Sequence, residues 1–192
     1  MQKLLSVTFI ALLLAGCGED TQKKAIQNEV LAKIKEAKES GPIELDLSDN
    51  EISDVTPLKG LTNLKYLNLS GNEITDVAPL AGKTNLVTLW LAYNEITNLS
   101  PLKGLTNLEV LRLDSNQISD ISPLAGLTKL EELYLYDNEI TDLSPLKGLK
   151  NLKTLDLSGN PIPEDQIEML KKALPDCDIP FSTFDPLPDT EN

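Results

Sequence analysis

The sequence predicts an α/β solenoid, with a curved parallel sheet on its concave face, 3₁₀ turns on its convex face and a helical cap at each end. Three observations carry this. Asn recurs at 50, 72, 94, 116, 138 and 160, each 22 residues after the last. An alternating apolar pair precedes each Asn, from Leu45/Leu47 to Leu155/Leu157. An Ile follows two residues after each, from Ile52 to Ile162, and a Pro-Leu closes five of the units, from Pro57-Leu58 to Pro145-Leu146. A fixed period of this length marks stacked structural repeats. Six units occupy positions 42–173.

Ahead of the repeats, Met1-Gln2-Lys3 leads into an apolar run from Leu4 to Ala15, broken only by Ser6 and Thr8. The run is too short for the roughly 20 residues a membrane-spanning helix needs. A basic start, a short apolar stretch and small residues at its end read as an export signal. Its end, Leu14-Ala15-Gly16-Cys17, resembles the lipobox of bacterial lipoproteins. That resemblance implies removal of residues 1–16, lipidation of Cys17 and anchoring in a membrane of the bacterial cell envelope. Two or three acyl chains hold stably where one does not. By the sorting rule of enterobacteria, Gly18 rather than Asp after the Cys points to the outer membrane or cell surface over the inner membrane.

Residues 17–41 form the tether and first cap. Apolar residues at 26, 30, 34 and 37 make one helical stripe, so a helix is predicted from about Thr21 to Glu39, stopped by Ser40-Gly41-Pro42. It covers Leu45 and Leu47, which would otherwise lie open.

Within each unit the Leu-x-Leu alternation gives a short strand with one buried face. Every unit repeats one path, so successive strands run parallel, and the residues between them suffice for the crossover that parallel pairing demands. That return is rich in Pro and Gly and too short for a long helix, so 3₁₀ turns are expected around Thr56-Pro57-Leu58 and its equivalents. One unit cannot bury its own face, so stability comes from stacking.

After the last unit, Pro163-Glu164-Asp165 begins a helix with acids in its first turn and Lys171-Lys172 in its last, which suits the helix dipole. Ile167, Leu170 and Leu174 face the core, and a short strand is expected near Cys177–Ile179. Positions 174–182 complete the C-terminal cap, and 183–192 read as a disordered tail.

The stretch Leu105-Thr106-Asn107-Leu108-Glu109-Val110-Leu111-Arg112-Leu113-Asp114-Ser115-Asn116-Gln117-Ile118 resembles the leucine-rich repeat of bacterial internalins, a repeat class also found in a eukaryotic phosphatase regulatory subunit. The resemblance implies a leucine-rich-repeat solenoid and a binding role, since several internalins present the concave face to a receptor. Three places depart from it: the first unit has Pro42 where later units have Leu, the sixth has Pro161-Ile162-Pro163 and then drops the pattern, both end effects, and Lys83 breaks a Leu column. Lys83 stands in a column otherwise made of Leu61, Leu105, Leu127 and Leu149, and is expected to snorkel to water along its apolar stem.

Composition excludes several functions. Asp plus Glu number 30 against 17 Lys plus Arg, a net charge of -13, which repels phosphate backbones and argues against nucleic acid as a partner. The absence of His removes Ser-His-Asp and Cys-His catalysis and His metal sites. No cofactor motif is present, and the acidic columns Glu51 to Glu139 and Asp54 to Asp142 form ladders that spread their carboxylates rather than converge them on a cation. The Asp column is expected to cap the Pro-Leu turns. The Asn column is expected to bond neighbouring turn backbones. With Cys17 lipidated, as the lipobox resemblance implies, Cys177 is left unpaired, and it lacks a base to activate it.

Function must therefore lie where the columns vary. The residues flanking each inward Leu face outward onto the concave sheet, and they concentrate the large flat side chains. The only Trp and the only Arg, Trp90 and Arg112, stand in one column with Tyr134. Tyr66, Val110, Asp114, Glu132 and Tyr136 join them, and Tyr93 sits at the rim. Trp, Tyr and Arg dominate binding hot spots. Glu44, Asp46, Asp114, Glu132 and Asp156 ring this centre. The reading is a monomeric, non-enzymatic module that binds a protein ligand. The alternative is glycan or peptidoglycan binding, because aromatic platforms beside carboxylates also suit sugars.

Overall fold

A computed structural model describes residues 19–180. The export signal at 1–16, the lipid site at Cys17 and the tail at 183–192 lie outside the described residues.

The elements follow one another as the period requires. Helix α1 spans Glu19–Ser40. Six three-residue strands come next: β1 Glu44–Asp46, β2 Tyr66–Asn68, β3 Thr88–Trp90, β4 Val110–Arg112, β5 Glu132–Tyr134 and β6 Thr154–Asp156. All pair in parallel in the order β1-β2-β3-β4-β5-β6, and each residue sits opposite the one 22 positions on, as Leu89 does with Leu111. Between strands the return holds 3₁₀ turns at Thr56–Leu58, Ala78–Leu80, Ser100–Leu102, Ser122–Gly126 and Ser144–Gly148. Each carries its Pro at the start of the turn, where a missing N–H costs nothing. Helix α2, Glu164–Ala173, closes the stack.

The core is a set of columns. Leu67, Leu89, Leu111 and Leu133 are buried along the middle of the sheet, and Ile74, Ile96, Ile118 and Ile140 fill the next column. A fully buried Leu contributes roughly 1.5–3 kcal/mol, so the stack is held by many modest, repeated terms.

Polar ladders lock the turns between these columns. The Asn116 side chain accepts from the Ile96 amide at 3.0 Å and donates to the Leu91 and Leu113 carbonyls, both at 3.0 Å. Asn72, Asn94, Asn138 and Asn160 make the same three links to their own and the preceding unit. Asn50 has no preceding unit, and its buried Oδ1 finds no partner. The Asp column does cap the turns. Oδ1 of Asp54, Asp120 and Asp142 accepts from the amide two residues on, each at 2.8 Å. Hydrogen bonds from Thr56, Ser122 and Ser144, the side chain foremost at Asp54 and the amide foremost at Asp120 and Asp142, hold the three carboxyls below the ordinary carboxylate range. A second Asn column, which the sequence reading did not single out, runs outside: Asn85, Asn107 and Asn151 each donate to a Thr carbonyl of the unit before.

Lys83 corrects an expectation. It does not reach water: the residue is 2% exposed, and its ammonium donates to the Leu58 carbonyl at 2.7 Å and the Leu61 carbonyl at 3.0 Å. The turn of the preceding unit presents two carbonyl oxygens to this slot, so the amine is satisfied inside. Burial lowers its pKa from the ordinary 10.5. Between that lowered value and 10.5 the unfolded chain holds more protons than the folded one, so stability rises with pH across this window. In matched urea titrations from pH 7 to pH 10, the wild type should therefore gain stability relative to Lys83→Met. A pH-independent difference between the two would contradict this.

Both caps work as expected. Ile26, Val30, Ile34 and Ala37 form the buried face of α1, and Ile167, Leu170 and Leu174 that of the C-terminal cap. Instead of a short strand near Cys177–Ile179 there is a single bridge, Asp178 to Thr154, made by one pair of bonds, because Pro180 two residues on has no N–H to continue the ladder. Cys177 is half-buried, and burial with the Asp178 charge pushes its thiol up to about 11, which keeps it protonated and unreactive.

Candidate functional site

The concave face is built by the parallel register. Because each strand aligns with its neighbour without slippage, Trp90 stands opposite Arg112, and Arg112 opposite Tyr134. Strands in a sheet are about 4.8 Å apart, so these three side chains stand side by side in one column. The Arg112 guanidinium carbon lies 4.6 Å from the Tyr134 ring centroid, a cation–π contact. Arg112 Nε donates to Asp114 Oδ2 at 3.3 Å, and the Tyr134 hydroxyl donates to Glu132 Oε2 at 3.0 Å. One row thus runs from apolar Trp90 through a cation to a phenol whose proton is committed to a carboxylate.

Exposure sorts the predicted residues. Tyr66, Trp90 and Tyr136 are exposed, Trp90 to 39%, and Arg112 is exposed as well. Val110, Glu132 and Tyr134 are half-buried. Asp114 corrects the expectation that it faces outward: it is 6% exposed. It sits two residues past Arg112, whose Nε bonds its Oδ2, whereas Tyr136 at the equivalent position one unit on stays exposed. Ala92, one unit earlier, is buried as well. Burial raises the Asp114 carboxyl above its ordinary value, opposed by the Arg112 charge beside it. Burial, then the hydrogen bond to Glu132, raises the Tyr134 phenol. Asp114 therefore acts on this face through Arg112, which it holds beside the Tyr134 ring.

Tyr93 is the most exposed of these aromatics, at 63%, and its backbone is left-handed with φ +56°. The same turn position carries Asp49, Gly71, Ser115, Asp137 and Gly159, residues suited to positive φ. A Tyr there is a local cost that packing does not repay. Backbone strain of this kind collects at functional surfaces.

The structure also reveals a hollow that the sequence reading did not anticipate. Tyr66 and Trp90 flank an open depression of about 110 Å³ across β1–β3, lined by Leu45 and Leu67 and by Glu44 and Asp46. It exists because the residues between the rings, Asn68 and Thr88, are small. Two large residues on a diagonal with two small ones between them was the available signal.

Similarity to known proteins agrees with this architecture. A family model described as leucine-rich repeats in two copies matches residues 43–82, 84–126 and 128–172, which gives six repeats. An internalin (inlF) of Listeria monocytogenes is 38% identical with a TM-score of 0.68, over 72% of this chain and 40% of that one. Internalin C2 of the same species is 41% identical with a TM-score of 0.62, over 73% of this chain and 71% of that one. A leucine-rich repeat protein of Leptospira interrogans is 34% identical with a TM-score of 0.70, over 80% of this chain and 39% of that one. The chain thus spans less than half the length of the first and third. No curated protein sequence matches. On the repeat matches and the internalin identities together, the chain belongs to the leucine-rich repeat family and is related to the internalins.

Proposed function

We propose that the chain is a lipid-anchored, non-enzymatic recognition module that docks a protein partner on its concave face. The single observation that carries the reading is the row Trp90, Arg112, Tyr134, in register on a water-facing sheet. Folding stability gains little from a half-exposed Trp, whereas desolvating such a row on binding yields hot-spot energies. The strained, exposed Tyr93 at its rim supports the same surface. The internalin relationship is consistent with a protein ligand. Replacing Trp90 and Tyr134 together by Ala tests it: capture of the partner is lost while the fold stands. Capture of envelope oligosaccharide in place of protein would support the glycan reading instead.

Anchoring rests on the Leu14-Ala15-Gly16-Cys17 motif. It would leave the solenoid tethered through the segment before α1, on the outer membrane or cell surface. In cells fed an alkyne-bearing palmitate, the wild-type chain should take up label and partition into detergent, and Cys17→Ser should do neither. Labelling that persists in Cys17→Ser would refute a lipid at this position.

A further inference from the structure

We infer that the hollow between Tyr66 and Trp90 is a socket for a single basic side chain, Lys or Arg, of the protein partner. The inference rests on the concave face being the docking surface, and it specifies the chemistry at one end of it.

The hollow has apolar walls and an anionic mouth. Tyr66 and Trp90 supply two ring faces, and Leu45 and Leu67 an apolar floor. Glu44 and Asp46 stand on β1, in register with Tyr66 and Asn68. The described residues give Glu44 no ion pair, and it is exposed. Asp46 Oδ1 accepts from the Ser48 amide at 2.9 Å and hydroxyl at 2.8 Å, which fixes the carboxylate and leaves Oδ2 without an internal donor. Asn68 Oδ1 is engaged by the Ser70 amide at 3.1 Å. No cation lines the hollow. Arg112 stands one strand beyond Trp90 and is engaged by Asp114 and Tyr134.

These features select one kind of occupant. An acidic or phosphorylated group is repelled by both carboxylates. A neutral apolar side chain would fill the walls and leave the anionic mouth uncompensated. A sugar would stack on the rings and find donors in the Asn68 amide and the Thr88 hydroxyl, but it would leave the charge of two carboxylates uncompensated. A Lys or Arg fits every part: its methylene stem lies between the rings, its head makes a cation–π contact, and its N–H groups meet the two carboxylates. The -13 charge of the chain steers such a partner in from a distance.

Trp90 is the only Trp, so its emission reports occupancy directly. The probes are N-acetylated pentaglycine amides with a central Arg, Lys or Gln, and a chitotetraose, each titrated into the whole chain at low ionic strength. Arg and Lys peptides should shift Trp90 emission, and Gln peptide and chitotetraose should not. Glu44→Gln/Asp46→Asn should weaken the Arg peptide at least tenfold. Glu95→Gln/Glu139→Gln, which removes equal charge from the exposed column outside the sheet, should weaken it less than twofold. Equal weakening by both pairs overturns the socket in favour of diffuse attraction. A response to the Gln peptide or chitotetraose as strong as to the Arg peptide overturns the basic occupant, yet leaves the concave docking surface standing. That surface fails separately, if partner capture survives the loss of Trp90 and Tyr134.

Discussion

Asn116→Ala is expected to destabilise the solenoid by about 3–5 kcal/mol, while Asn50→Ala, at the equivalent position of the first unit, costs under about 1 kcal/mol. The difference follows from position in the stack. Removing the Asn116 amide orphans the buried Ile96 N–H, which costs about 1–3 kcal/mol, and takes one bond each from the Leu91 and Leu113 carbonyls, at about 1 kcal/mol apiece. Those carbonyls keep partial satisfaction from Asn94 and Asn138. Asn50 spans no unit boundary: its Nδ2 bonds only the Ser48 carbonyl, and its buried Oδ1 is already unpartnered. Truncating it removes one local bond and one unsatisfied atom together. Urea unfolding of the two variants beside the wild type measures both values. Equal losses at 116 and 50 would mean that the Asn column does not act by bridging units.

That pair also marks how far the sequence could be read. The period located every strand, the register and the Pro-started turns, because six strands and five turns repeat one local pattern. The row Trp90, Arg112, Tyr134 was legible too, since a 22-residue parallel register places equivalent positions side by side. What a column cannot express is the difference between one member and the next. Six identical Asn residues hide the end effect at Asn50. Lys83 in a Leu column reads as a flaw, because the two carbonyls that receive its ammonium belong to the neighbouring unit's turn. Asp114 shares its repeat position with exposed Tyr136, but it is buried where it bonds Arg112, a pairing inside one unit that no column expresses. The Tyr66–Trp90 hollow depends on Asn68 and Thr88 being small between larger neighbours, a relation across strands rather than along one.

The second large effect concerns the concave face. Trp90→Ala with Tyr134→Ala should lower partner affinity at least about a hundredfold. Each hot-spot aromatic is worth roughly 2 kcal/mol or more, and 1.4 kcal/mol is tenfold, so the pair reaches that mark even without full additivity. The cost to folding is far smaller, about 1–2 kcal/mol, mostly from the lost contact of Tyr134 with Arg112. Stability and binding can therefore be separated in one protein. The most direct measurement uses the whole chain as bait in its native envelope, with cross-linked partners quantified for the wild type, the double variant, and a Glu95→Gln/Glu139→Gln variant altered outside the sheet. A protein recovered with the wild type and the outer variant, and reduced a hundredfold or more with the folded double variant, is the predicted result. Undiminished recovery by the folded double variant would contradict the concave face as the docking surface.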